Sequence, residues 1–167
     1  AYLQVEGKER PKLELGDDPD KTGEYQMTFR VVNFGTEPLQ YAITPTVLTE
    51  NAETKGDYGN VQVYFATQAS RDITAQTTWT TDCTNNVVTV PAKGTADVTV
   101  TVKLSDALRK ELTDTFENGI YIEGYITLKQ QATAEGVTGC DLSIPYLAFY
   151  GDWDQAPVID IGYPAST

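Results

Sequence analysis

Apolar and polar residues alternate along much of this chain with a period of two, which is the pattern of half-buried β-strands. The cleanest alternation runs from Val98 to Leu104, where every second residue is Val or Leu and the residues between them are Thr or Lys. Similar alternation covers Tyr25–Val31 and Ile120–Leu128, and shorter extended runs are predicted over 11–15, 39–47, 61–65 and 87–90. Because a register shift of one residue would turn every apolar side chain toward water, these patterns also predict the buried faces.

One segment predicts a helix. Ser105 and Asp106 can cap the residues that follow, and Leu108 and Leu112 lie four apart, on one side of such a helix. The helix spans barely two turns, so we expect a crossover between strands.

The remaining connections are less regular. Residues 51–59 are polar and predict a loop, while the Thr-rich stretch 73–79 fits either a short strand or a loop. Gly124 lies on the apolar face of Ile120–Leu128, where a missing side chain predicts a bulge or the close packing of a neighbour.

Together these elements predict an all-β fold: an immunoglobulin-like or fibronectin type III-like antiparallel β-sandwich with one short crossover helix. The sandwich is expected to occupy residues 1–161, and residues 162–167 to form a linker or the start of another domain. A chain of 167 residues can bury roughly two thirds of its unfolded surface, so a disulfide framework is not needed for folding.

The stretch from Leu142 to Tyr150 is apolar on both faces. Pro145 lacks an N–H group, so the strand must run along an edge or carry a bulge there. One core covers only one face, and Leu147 and Phe149, with Trp153 just beyond, are therefore predicted to form a docking surface. The alternative is a cover from within the domain, by the helix at 106–112 or the loop at 130–139.

Charge and residue usage exclude several classes of function. The formal net charge is −12 and no basic cluster interrupts it, so neither nucleic acid nor an anionic membrane is an expected partner. No apolar run approaches about 18 residues, so we expect no direct insertion into a membrane. The sequence contains no His, which excludes a Ser-His-Asp or Cys-His arrangement within this chain. No catalytic, cofactor-binding or metal-binding residue is predicted.

Two groups of acidic residues are candidate sites. Asp17, Asp18, Asp20 and Glu24 lack the spacing of an EF-hand calcium loop and predict a solvated turn with local backbone hydrogen bonds. Carboxylates available for glycoside chemistry are more typical of solvated strand ends; these are Glu123, Asp152 and Asp154.

Cys83 and Cys140 both lie among turn residues. In an oxidising compartment a bridge between them would close a loop of about 58 residues and stabilise the fold by about 4 kcal/mol. Whether the two residues meet depends on whether 73–79 is a strand, since one extra strand reverses the chain direction after it. A disulfide and two free thiols both remain open.

Four segments in order carry a resemblance to a known family: residues 31–35 (VVNFG), 88–94 (VTVPAKG), 116–125 (FENGIYIEGY) and 142–153 (LSIPYLAFYGDW). The set resembles the fibronectin type III-like domain that follows the catalytic domain in cell-envelope subtilisin-like serine proteases, the family of lactocepins and complement-cleaving surface peptidases. The resemblance runs from about residue 11 to 160.

The resemblance implies a non-catalytic accessory domain of a secreted, cell-wall-associated subtilisin-like serine endopeptidase of a Gram-positive bacterium. Its implied location is the extracellular cell surface, and its implied partner is the adjacent protease domain of the same chain, which it would brace. A contribution to binding of the protein substrate is also implied. The catalytic residues of such a protease would lie upstream, outside this chain.

Two other classes of function stay open beside this one. An independent adhesin or carbohydrate-binding module could use Trp79, Trp153 and the tyrosines as a platform for stacking sugars. An enzyme in its own right is the third class, and the gene context of the chain discriminates it.

Overall fold

The computed structural model describes residues 1–6, 10–58, 61–132 and 140–153, and for 52–58 and 61–69 the description covers the backbone alone. The predicted domain boundary at 161 and the residues 162–167 lie outside this part, as do 133–139 of the predicted loop at 130–139. The strands within it are β1 (Tyr2–Gln4), β2 (Leu13–Asp18), β3 (Glu24–Val32), β4 (Leu39–Tyr58), β5 (Val61–Asp72), β6 (Thr77–Thr81), β7 (Val87–Val90), β8 (Thr95–Leu104), β9 (Ile120–Gln130) and β10 (Leu142–Tyr150), and the α-helix is α1 (Asp106–Thr115).

The strands form two sheets, which confirms the predicted all-β sandwich. The four-stranded sheet has the order β1-β3-β8-β6, and the six-stranded sheet has the order β2-β10-β9-β4-β5 with β7 also paired to β4. Among the described strands, β2 runs parallel to β10 and the other pairs are antiparallel. The expectation of a purely antiparallel sandwich is corrected there: almost the whole domain lies between these two strands, which is ample for the crossover that a parallel pair requires.

The core lies between the inner faces of the two sheets. The alternation from Val98 to Leu104 is confirmed, since its four apolar side chains are each exposed by 2% or less. Met27 and Phe29 of the neighbouring strand β3 lie beside them on the same face of the sheet. Ile122 and Ile126 of β9 pack into the same core from the opposite sheet. Each such side chain stabilises the fold by about 1.5 to 3 kcal/mol before chain entropy is subtracted.

The predicted helix is confirmed at nearly the predicted bounds. Ser105 is its N-cap, with its side-chain oxygen accepting a hydrogen bond of 3.2 Å from the backbone N–H of Leu108. Leu108 and Leu112 are buried on the side that faces the core. The helix carries the chain from β8 in one sheet to β9 in the other, as expected of a crossover.

Two connections differ from the simplest interpretation of their composition. Residues 51–58, predicted as a loop, continue β4, which pairs with β5 from Leu48 and Asp72 out to Tyr58 and Val61. Hydrogen bonds between backbones hold this extension together. Such bonds do not require alternating apolar side chains, so the sequence shows no strand pattern there. The Thr-rich stretch 73–79 proves to be a short 3₁₀ turn followed by the start of β6.

Gly124 marks close packing, one of the two alternatives predicted for it. A Cβ atom at this position would lie 2.0 Å from the backbone oxygen of Thr46 in β4 and 2.8 Å from the Tyr146 hydroxyl. Tyr146 is the cross-strand partner of Gly124, and its hydroxyl donates a 2.7 Å hydrogen bond to the same Thr46 oxygen. The aromatic side chain thus occupies the space that the glycine leaves.

Asp18 holds the turn that joins the two sheets. Its carboxylate is 8% exposed and accepts hydrogen bonds from the backbone N–H and hydroxyl of Thr22, the backbone N–H of Gly23 and the hydroxyl of Tyr25, at 2.9 to 3.2 Å. Burial and the adjacent carboxylate raise the pKa of Tyr25 well above its ordinary value. The predicted local backbone hydrogen bonds are confirmed. The predicted solvation holds for Asp17 and Asp20, which are exposed, and is wrong for Asp18, which is buried.

Cys83 and Cys140 are free thiols in the structure. Cys83 precedes β7 and Cys140 precedes β10, and strands β4 and β9 lie between those two strands in the sheet. At about 4.8 Å per strand, that separation is roughly twice the Cα distance that a disulfide spans. Burial, with help from the neighbouring Asp82 carboxylate, raises the pKa of the Cys83 thiol to about 11.

Replacing Asp18 with Ala is expected to lower the free energy of unfolding by roughly 3 to 5 kcal/mol, because buried donors at Gly23 and Tyr25 lose their acceptor. Urea unfolding measures this loss. Asp20→Ala removes the same charge from an exposed residue of the same turn and should change stability by less than about 0.5 kcal/mol. Equal effects of the two substitutions would contradict the role given to Asp18.

Gly124→Ala is expected to destabilise the chain by about 3 kcal/mol or more, since the new Cβ meets a backbone oxygen that cannot move without breaking the β4–β9 pairing. Gly16→Ala is the matched control. Gly16 also has a positive φ, of 75°, but has open space around the added atom. It should therefore show only the backbone cost, about 1 to 2 kcal/mol. Comparable losses in thermal unfolding would argue against steric exclusion at Gly124.

The thiol arrangement predicts two reactive groups in the unreduced, unfolded chain, measured by titration with a thiol reagent. In the folded chain, Cys83 should react slowly at neutral pH, and its rate should rise about tenfold per pH unit between about pH 7 and 10, because the thiolate is the reactive form. Measuring Cys83 alone requires Cys140→Ser. A rate independent of pH in that range would show that the Cys83 thiol is not held protonated.

Candidate functional site

The outer face of the six-stranded sheet carries the candidate site, which is centred on β10. A depression of about 440 Å³ lies between β2 and β10 and is walled by Tyr121, Leu147, Phe149 and Trp153, with Glu14 and Asp17 along one side. We call the first four residues the docking surface. The structure thus brings together all three residues predicted for docking, Leu147, Phe149 and Trp153.

Strand pairing explains why these side chains meet. Leu147 and Phe149 are two residues apart on β10 and so project from the same face. Tyr121 of β9 is the register partner of Phe149, which places it on that face as well. Pro145 is paired to Tyr125 of β9 on one side of β10. On the other side, pairing with β2 begins only at Tyr146, so β10 is an unpaired edge toward β2 at the residue that lacks an N–H group.

Three aromatic rings of the docking surface contact one another in pairs. The ring centres of Phe149 and Trp153 are 5.1 Å apart with the planes nearly perpendicular, and those of Tyr121 and Phe149 are 5.2 Å apart at 70°. Tyr121 and Trp153 are 5.5 Å apart. Edge-to-face pairs of this geometry are worth about 0.5 to 1.5 kcal/mol beyond their burial, so the three rings hold one another in place.

The docking surface is unequally covered. Phe149 is 7% exposed, whereas Leu147 is 40% and Trp153 is 52% exposed. Tyr125, on the same face of β9, is 42% exposed. Leu147 and Trp153 line the same depression, so the two exposed side chains form one apolar area.

The expectation that Phe149 needs a cover from outside is corrected. Its ring packs against Tyr121 and Trp153 and sits over Gly119, where an added Cβ would lie 2.7 Å from the ring. The helix, proposed as an internal cover, instead meets the next residue, since Thr113 and Tyr150 share a 3.0 Å hydrogen bond between their hydroxyls. Leu147 and Trp153 remain the exposed parts of the surface.

Carboxylates flank the docking surface on two sides. Glu14 and Asp17 of β2 line the main depression, while Glu50 and Glu123 line a smaller one of about 250 Å³ that shares Tyr121 and Leu147 with it. The described lining of both depressions contains no Lys or Arg. Lys12 forms an exposed ion pair of 2.9 Å with Glu14 nearby, which offsets one of the four charges.

Sequence reasoning did not find Tyr121, Glu14 or Asp17 as parts of this site. The antiparallel pairing of β9 with β10 places Tyr121 beside Phe149. That register is the signal that would identify Tyr121. Glu14 and Asp17 join the site through the parallel β2–β10 pair. No local signal in the sequence specifies that pairing, because Asp17 and its partner Phe149 are 132 positions apart in the chain and pairing at that distance depends on the whole fold.

The site offers apolar and aromatic side chains at its centre and carboxylates along its edges. The described residues contain no group of three or more His, Cys, Asp or Glu side chains that could hold a metal ion. The Asp18 carboxylate accepts four local hydrogen bonds. Asp154, one of the carboxylates considered for glycoside chemistry, lies outside the described residues. In the part of the chain that is described, no helix is long and apolar enough to cross a membrane.

Comparison with known proteins finds relatives that match most of this chain. The C5a peptidase of Streptococcus pyogenes is 25% identical over 159 residues, which make up 95% of this chain and 12% of that protein. The PII-type proteinase of Lacticaseibacillus paracasei is 26% identical over 157 residues, or 90% of this chain and 7% of that protein. The chain therefore spans about a tenth of the length of these relatives.

Among solved structures, the sporulation control protein Spo0M of Bacillus subtilis aligns with 90% of this chain and 49% of its own, with 15% identity and a TM-score of 0.45. That likeness is too distant to inform function. A family model for Fn3-like domains matches residues 13–147, from the first residue of β2 into β10, and thus most of the chain. This chain is accordingly a member of the Fn3-like domain family.

Proposed function

We propose that this chain is a non-catalytic accessory domain of a secreted, cell-surface subtilisin-like serine endopeptidase, and that it braces the catalytic domain of the same polypeptide. The relatives named above support the proposal because they are a peptidase and a proteinase in which the matching region is a small fraction of the whole. The absence of His from this chain agrees with a catalytic site located elsewhere.

The observation that carries the bracing role is the docking surface. Leu147 and Trp153 are large apolar side chains, and they lie beside a preformed aromatic cluster. Exposure of such groups in a free domain is unfavourable, and burial against a neighbour would stabilise both parts. A domain joined to its neighbour by the chain needs only a modest contact, since the effective concentration of a tethered partner is of millimolar order.

A carbohydrate-binding or adhesive module is the second candidate, and Trp153 is the residue that favours it. An indole that is 52% exposed beside two further rings can stack on a sugar. In that case the isolated chain would bind an oligosaccharide saturably, and the loss of Trp153 would remove binding without altering the stability of a larger protein.

Leu147→Asn tests the bracing role. In the isolated chain it should change the free energy of unfolding by less than about 1 kcal/mol, because the side chain is already 40% exposed. In the full-length protein it should lower the thermal midpoint by several degrees and reduce endopeptidase activity after heating, because a docked contact is lost.

Two comparisons sharpen the Leu147 experiment. Phe34→Asn alters another exposed apolar residue, 70% exposed and away from the docking surface, and should leave the full-length protein unchanged. Phe149→Asp should destabilise even the isolated chain by about 3 kcal/mol or more, since its ring is buried. Bracing is refuted if Leu147→Asn leaves the full-length protein at its original midpoint.

Sequencing the gene upstream of this region, without finding a subtilisin-like domain, would refute the accessory role itself.

A further inference from the structure

The docking surface combines an apolar floor with acidic flanks. Leu147 and Trp153 offer apolar contact at the centre, with Asp17 on the β2 side and Glu123 on the β9 side. Both carboxylates are exposed, and each lines a depression that Leu147 also lines. Salt at physiological strength screens charges only beyond about 8 Å. The electrostatic character of a partner therefore matters at this surface.

These features select the chemistry of the partner. An acidic or neutral partner would have to desolvate Asp17 and Glu123 without compensation, which costs free energy. A partner with Lys or Arg beside an apolar side chain would place the apolar group against Leu147 and Trp153. Its cationic groups would at the same time pair with Asp17 and Glu123. The net charge of −12 on the chain adds a long-range attraction for such a group.

We infer that the docking surface is closed by a cationic segment of the neighbouring part of the same polypeptide, with an apolar side chain between Leu147 and Trp153 and Lys or Arg facing Asp17 and Glu123. The inference rests on the proposed accessory role and adds the chemistry of the contact. The two depressions are small for a stable contact between separate proteins, whereas a tethered segment needs far less buried area.

The chemistry can be tested on the 167-residue chain with short peptides. The probes are acetyl-Gly-Lys-Leu-Lys-Gly-amide and its acidic match, acetyl-Gly-Glu-Leu-Glu-Gly-amide. The indole N–H resonance of Trp153, assigned with Trp153→Phe, should shift with the cationic peptide alone, while that of Trp79 stays in place. The dissociation constant should rise at least about tenfold between about 20 mM and 500 mM NaCl, because salt screens the ion pairs.

Three results of the peptide experiment would overturn the inference. The first is no shift of Trp153 with millimolar cationic peptide, and the second is equal binding of the acidic peptide. The third is a shift produced by a neutral oligosaccharide, such as an N-acetylglucosamine trimer, without any response to the cationic peptide, which would assign the surface to a glycan.

The source of the segment is tested in the full-length protein by Asp17→Lys with Glu123→Lys. The matched control is Asp20→Lys with Glu37→Lys, which makes the same change of charge at exposed residues outside the docking surface. The docking pair should lower the thermal midpoint of the full-length protein by at least about 3 °C, and the control pair should not. The isolated chain should keep its midpoint within about 1 °C in both cases.

The outcomes separate this inference from the proposed function. If Leu147→Asn weakens the full-length protein and the charge reversals do not, bracing stands and the cationic segment is wrong. If the cationic peptide binds but neither change affects the full-length protein, the contact chemistry is right and bracing within the chain is wrong. A raised KM for a protein substrate with an unchanged midpoint would place the cationic segment on the substrate and overturn the inferred source.

Discussion

The buried carboxylate of Asp18 is the interaction on which the arrangement of the two sheets depends. Its side chain binds the turn residues that start β3 in one sheet, and its backbone N–H and carbonyl pair with Gly151 just beyond β10 in the other. A carboxylate away from water is unfavourable unless its oxygens are bonded, and here they accept four hydrogen bonds. The same residue therefore fixes β2 beside β10 and directs the chain across the sandwich.

That placement of β2 creates one wall of the docking surface. Because β2 lies parallel to β10 and is held there at Asp18, its outer residues Glu14 and Asp17 come to border the aromatic cluster. The helix reaches the same end of β10 from the inner side, because the Tyr150 hydroxyl donates a hydrogen bond to the backbone oxygen of Arg109 and shares another with the Thr113 hydroxyl. The end of β10 is thus constrained from both faces of the sheet, which gives the surface a fixed shape.

Strand β10 serves the core and the surface together. Its inner residues Ile144, Tyr146 and Tyr150 are each exposed by 3% or less and belong to the sandwich core. Of its outer residues, Phe149 is covered by neighbouring rings of the chain, while Leu147 remains open beside Trp153. One strand therefore contributes to the core with its inner face and leaves a limited apolar area exposed on its outer face.

The sequence by itself determined the class of fold, because alternation with a period of two and a capped pair of leucines are local properties of the chain. It also predicted that Leu147, Phe149 and Trp153 belong to one surface, since a strand that is apolar on both faces exceeds what one core can cover. The structure brings the three side chains together, and their role in docking stays a prediction. Only the tertiary structure decided that Phe149 is covered within the chain, that Tyr121 completes the cluster and that Glu14 and Asp17 flank it. Those facts depend on strand register and on a parallel pair between the two ends of the domain, and pairing between residues so distant in sequence is specified by the packing of the whole core.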